Sequence, residues 1–146
     1  MFEFFDTFRD LTMTSIFLRM VLSVICGGFI GLERTYKRHD AGFRTHILIC
    51  IGACMTTLIG QYLSLVMGYY TDITRLGAQV IAGVGFIGAG AIIVTQREQV
   101  KGLTTAAGLW ASAIVGLSLG AGFFEGGLYT TLLILIAELY LSKLEY

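Results

Sequence analysis

The sequence predicts an all-α, polytopic membrane protein of five transmembrane helices with glycine-rich packing, and three observations predict it. Mean hydropathy is +0.77. Hydrophobic residues make up 55% of the 146 against 14% charged, and there is no proline. The apolar residues fall in five blocks, near 13–32, 45–67, 76–95, 103–120 and 126–142. Each block is long enough to cross a hydrocarbon core as a helix, which takes about 17–25 residues. Little is left over for a soluble domain, so 1–146 reads as a single transmembrane domain. The zero net charge offers nothing to a polyanion, and no basic cluster is interleaved with stacking aromatics. No nucleic-acid partner is expected.

Within the blocks, small residues recur at helical spacing. In lipid, burying leucine against leucine gains little, so helices associate where small residues let backbones approach. The first block carries Ser23, Gly27 and Gly31, and the second Gly52, Thr56 and Gly60. The third carries the pairs Ala78/Ala82 and Gly85/Ala89, with Gly83, Gly88 and Gly90 beside them. In the fourth, Gly108, Ser112, Gly116 and Gly120 follow at i+4 on one face. The fifth, "LYTTLLILIAELYLSK", is leucine-rich. Four closely packed helices are expected, with the fifth on the periphery.

The stretch "GVGFIG" at 83–88 has G-x-G-x-x-G spacing. A dinucleotide site needs a strand before the glycines and an acid about 20 positions on. Here "RLGAQVIA" precedes them, and the region near 105 reads "GLTTAAG". These glycines belong to a membrane helix.

Lys and Arg in the loops set the orientation. Arg34, Lys37, Arg38, Arg44, Arg97, Lys101 and Lys143 fall on one side, and Arg9 and Arg75 on the other. The N-terminus is therefore expected outside and the C-terminus in the cytoplasm. "MFEFFDTFRD" lacks the basic region and cleavage site of a signal peptide. Phe5, Phe8 and Leu11 suit a short segment lying at the outer interface.

The chain also echoes itself. "GFIG" recurs at 28–31 and 85–88, and "GFRT" at 42–45 matches "GLTT" at 102–105. A shift of 60 residues lays Gly52, Thr56 and Gly60 on Ser112, Gly116 and Gly120. Helices one and two against three and four read as a parallel repeat about the membrane normal. Chance similarity of glycine-rich spans is the alternative.

Four ordered blocks, "GGFIGLER", "AGFRT", "RLGAQVIAGVGFIGAGAII" and "KGLTTAAGLWASAIVG", resemble the membrane domain of the MgtC/SapB family over roughly 15–140. The resemblance implies a bacterial inner-membrane protein of five spans, linked to growth under magnesium limitation and, in pathogens, to survival inside host cells. It also implies a regulatory role, some members being described as acting on the F-type ATP synthase. The longer members carry a cytoplasmic C-terminal domain, which these residues do not include. Ile73, where a proline often stands, and Gly108 depart from the family pattern.

A magnesium pathway usually shows carboxylates, because Mg²⁺ demands oxygen ligands and dehydrates reluctantly. Glu33 and Asp72 lie at span boundaries, and Glu138 lies within the fifth span near its cytoplasmic end. No acid marks the midplane. A small transporter or channel for Mg²⁺ or another ion stays open as the alternative to regulation.

Among charged residues Arg19 stands out, one or two turns inside the first span. An arginine there costs at least about 2.5 kcal/mol on insertion scales, so it is a functional candidate by default. It either snorkels to the outer interface or meets Asp72, the nearest outer carboxylate by topology. Arg75 opens the third span at a comparable depth. On the cytoplasmic side Glu33, Arg34 and Arg44 form a candidate cluster, unless positive-inside topology alone accounts for them. Gln79, Lys101, Thr104 and Thr105 complete the candidate polar residues.

His46, Cys50 and Cys54 share a face of the second span, but the end members stand about 12 Å apart along it. A structural metal shell usually has four ligands, so these read as buried small side chains. Cys26 is also mid-span, and no disulfide framework is expected. No nucleophile with a base, no paired carboxylates at reacting distance and no cofactor site are found. Catalysis, metal and cofactor are not expected, whereas a homodimer or small homo-oligomer is, because the glycine faces exceed what one small bundle needs internally.

Overall fold

A computed structural model describes residues 5–94 and 100–140, the side chains of 93 and 94 excepted. Five helices follow one another: α1 Met13–Tyr36, α2 Phe43–Gln61, α3 Arg75–Ala91, α4 Leu103–Gly120 and α5 Phe124–Tyr140. The architecture is all-α, as the apolar blocks require. Among the described residues, three helices are long and apolar enough to cross a membrane: Met13–Tyr36, Leu103–Gly120, and Phe43–Val66, where α2 continues through a π-turn at Tyr62–Val66. The apolar helix Arg75–Ala91 is shorter, with 17 residues.

The end of the third span differs from expectation. The third span was to reach 95, but α3 stops at Ala91, and Ile93–Val94 pairs antiparallel with Val100–Lys101. β-Branched residues on either side of the polar "TQREQ" favour this two-residue ladder over more helix. Gly102 then starts α4 at φ +91, a left-handed conformation that glycine adopts freely. The ends at 95 and 141–142, together with Arg97 and Lys143, lie outside the described residues.

Local chemistry places the starts of the helices. Thr12 caps α1 by accepting from the Ser15 N–H at 3.2 Å. Gly42 has no side chain to cap α2, so Thr35 of α1 does it, its hydroxyl accepting from Phe43 N–H at 2.8 Å. One hydroxyl therefore joins the end of α1 to the start of α2.

The core lies where α1, α2 and α4 meet, around Cys26, Ile30, Cys50, Val115, Leu119 and the Phe124 ring of α5. Backbones touch there. A Cβ on Gly27 would stand 2.8 Å from the His46 carbonyl, and one on Gly31 2.6 Å from the Phe43 Cα. Gly116 and Gly120 press in the same way on the Cys50 and Cys54 carbonyls, and Gly60 on that of Ile73. Gly88 makes ordinary contact with Ala106.

Gly52, Gly83, Gly85 and Gly90 differ from these. Nothing lies within 4 Å of where their Cβ atoms would be. The expectation of four packed helices and one outlier is therefore corrected. Three helices form the tight centre, and α3 flanks it with only Val84 and Gly88 buried. α5, expected on the periphery, buries Phe124, Glu125, Gly127 and Thr131. Its leucine-rich half faces out, and its small-residue start faces in.

Candidate functional site

Buried polar groups gather at the two ends of this bundle. At the end where α1 begins, Arg19 is 0% exposed. Its guanidinium donates to the carbonyls of Gly120 (2.8 Å), Phe8 (3.1 Å) and Arg9 (2.6 Å), and to Gln61 Oε1 (2.9 Å). Gly120 is the last residue of α4, whereas Gln61 leads into the π-turn through which α2 continues. Arg19 thus serves the C-terminus of α4, whose free carbonyls and negative dipole end attract a cation, and the side chain of Gln61 on α2. The Phe124 ring lies 5.9 Å from its Cζ, a cation–π distance.

The segment before α1 folds down over this charge. Phe5 stacks on Phe124 at 4.9 Å between centroids. Arg9 pairs with Glu125 at 2.5 Å and with Asp6 at 2.8 Å. The Ser15 hydroxyl donates to the Phe8 carbonyl at 2.5 Å. Phe5 and Phe8 pack against the buried core.

Arg19 therefore neither snorkels nor meets Asp72, and both readings are corrected. Asp72 is exposed and accepts from the hydroxyl and N–H of Thr74, at 2.7 and 2.9 Å. Those bonds hold its carboxyl below the usual range. Arg75 and Gln79 are exposed on α3. The Gly120, Phe8 and Arg9 carbonyls have no side-chain signature, which is why these partners of Arg19 escaped the sequence. Only the Arg9–Glu125 pairing carried a signal, as opposite charges bracketing the apolar blocks on one side.

At the opposite end, Arg34 is 2% exposed and donates to Thr105 Oγ1 at 2.8 Å. Its Nη1 stands 3.7 Å from Glu138 Oε1. Lys37 pairs with Glu33 at 2.6 Å and donates to the Glu138 carbonyl at 2.5 Å. His46, 0% exposed, has Nδ1 2.8 Å from the Gly42 carbonyl.

Of the expected cluster, Glu33 and Arg34 are together and Arg44 is not. Arg44 is exposed beside Thr35, His39 and Asp40 in a surface pocket. Lys101 and Thr104 are exposed, whereas Thr105, one residue on, is buried against Arg34. Glu138, noted as the one acid within a span, supplies the carboxylate. Cys50 donates to the Ser112 carbonyl at 3.1 Å. Among the described residues no group of three His, Cys, Asp or Glu could hold a metal ion.

The buried arginine of "GLER" meets Thr105 of "GLTT" across two helices. The MgtC family profile matches residues 20–146. The chain belongs to the MgtC family. YhiD of Escherichia coli K12, whose name marks it as a proposed magnesium transporter, is 41% identical over 130 residues, covering 85% of this chain and 60% of YhiD. Protein SapB of Bacillus subtilis is 38% identical over 134 residues, covering 86% of this chain and 56% of SapB. Protein MgtC of Salmonella typhimurium LT2 is 36% identical over 126 residues, covering 86% of this chain and 52% of MgtC. The chain thus spans little more than half the length of such relatives. No solved structure matches the fold.

Proposed function

We propose that this MgtC-family chain is a regulatory protein of the bacterial inner membrane, acting in magnesium-limitation or stress physiology through contacts of its membrane helices. Its N-terminus lies outside and its C-terminus in the cytoplasm, and the reading involves no catalysis and no cofactor. The observation that carries it is a contrast in packing. The centre of α1, α2 and α4 is closed at Gly27, Gly31, Gly116 and Gly120, with no room even for a methyl group. α3 instead presents Gly83, Gly85 and Gly90 with nothing near them. A hydrated ion needs space through the centre, whereas close helix docking needs small residues on an open face. The partner is a second copy of the chain or another inner-membrane complex such as the F-type ATP synthase, as the family resemblance implies.

The second reading is a small transporter or channel for Mg²⁺ or another ion. Buried charge at both ends of the bundle favours it, as does the name carried by YhiD. Purified protein in liposomes loaded with a Mg²⁺-sensitive dye separates the two. Regulation expects no Mg²⁺ entry above that of empty liposomes. Entry that disappears in Arg34→Gln would establish transport instead.

A further inference from the structure

α3 has 17 residues, which makes it about 25 Å long at the rise of a helix. A hydrocarbon core is ~30 Å thick, so lipid reaches every turn of the face that the bundle leaves bare. Val84 and Gly88 mark the side turned to the bundle. On the far side lie Leu76, Gln79, Gly83, Phe86 and Gly90, alternately three and four residues apart. That is the rhythm of a seam between two helices.

Two features of the seam call for another helix rather than lipid. Gln79 is exposed one turn inside α3, and no described residue hydrogen-bonds its amide. Hydrocarbon offers an amide neither donor nor acceptor, and unsatisfied polar groups are costly there. Phe86 is 84% exposed and stands between Gly83 and Gly90, where nothing lies within 4 Å of either Cβ position. One bulky ring is thus flanked by two hollows.

The same features select the partner. Copies inserted in one orientation run parallel, so residues of the same number meet across a twofold axis. In a parallel pair the knob at Phe86 enters a hole whose walls include Gly83 and Gly90 of the facing helix. Two bare glycines make that hole deep enough for a ring. A glutamine amide both donates and accepts, so Gln79 is satisfied by its own counterpart. A span shorter than the bilayer also relieves its mismatch by associating.

We propose that α3 is the interface of a parallel homodimer, in which Phe86 of each copy fills the Gly83–Gly90 hollow of the other and the two Gln79 amides hydrogen-bond across the twofold axis. This rests on the docking role given to α3 above and narrows its occupant to a second copy of the chain.

Sedimentation equilibrium of the full chain in mild detergent tests this with no other protein present. The wild-type chain should pass from monomer to dimer as its concentration rises. Gln79→Leu should weaken the dimer roughly fivefold, the worth of a hydrogen bond between membrane helices. Gly83→Ile should abolish it by filling the hollow. Neither change touches the bundle, so all three proteins should melt alike at dilutions where each is monomeric. In proteoliposomes, copper-phenanthroline oxidation should join two copies through Phe86→Cys but not through Phe17→Cys on α1, the native cysteines being buried. A chain that stays monomeric throughout, a dimer unweakened in Gln79→Leu or Gly83→Ile, or equal crosslinking at the two cysteines overturns the proposal. A purified monomer whose Phe86 position crosslinks to a different protein in cells overturns the homodimer and leaves the docking role of α3 standing.

Discussion

Arg19 and Gly120 are joined by a hydrogen bond of 2.8 Å between the guanidinium and the last carbonyl of α4. Gly120 gets close enough because it lacks a side chain, since a Cβ there would stand 2.9 Å from Thr57 Cβ. One relationship thus combines helix packing with the placement of a buried charge.

Removing the guanidinium should strand the carbonyls it serves. Arg19→Leu leaves those of Gly120, Phe8 and Arg9 without it, at about 1–3 kcal/mol for each that water cannot reach. Thermal unfolding in mild detergent should show a large loss, with Arg19→Lys intermediate. Asp72→Asn should add to Arg19→Lys without coupling, because the two residues share no partner; a coupling above about 0.5 kcal/mol would contradict this arrangement.

The glycines should divide into two groups. Gly120→Ala forces overpacking, about 1–3 kcal/mol. Gly83→Ala and Gly85→Ala meet nothing within 4 Å and should leave the melting temperature unchanged or slightly raised, alanine being the better helix former. Equal destabilisation at all three would refute the open face of α3.

The segment over Arg19 should loosen when its anchors go. Arg9→Ala leaves the buried Glu125 without its ion pair, while Phe5→Ala removes the stack on Phe124. Hydrogen exchange across residues 5–11 should speed up in both, most in the double variant. Unchanged protection would mean that the Arg19 contacts alone hold the segment.

For topology, seven basic residues stand on one side of the spans against two on the other. In a cysteine-free background, a cysteine at Lys101 should resist impermeant reagents applied to intact cells. Labelling from outside would invert the orientation.

Much of the fold was legible in apolar block length, because a membrane span must satisfy its backbone internally as a helix. The 103–120 block coincides with α4. Small-residue spacing was less informative, since Gly52 and Gly60 share a pattern while Gly60 touches Ile73 and Gly52 touches nothing. Spacing marks a face that permits close approach, not whether a neighbour uses it. Glu33 and Arg34 were legible as charges at a span end, and Glu138 as an acid within one. Their convergence with Thr105 depends on how three helices meet. Three of the four partners of Arg19 were not legible, because main-chain carbonyls look alike at every position.

We propose α3 as the docking face. A photocrosslinking residue at Phe86, 84% exposed on α3, tests it most directly against one at Phe17, 72% exposed on α1. In magnesium-starved cells, Phe86 should yield a discrete protein adduct, either a second copy or a subunit of another inner-membrane complex. Phe17 should yield lipid. Adducts at Phe86 no stronger than at Phe17 would contradict the account.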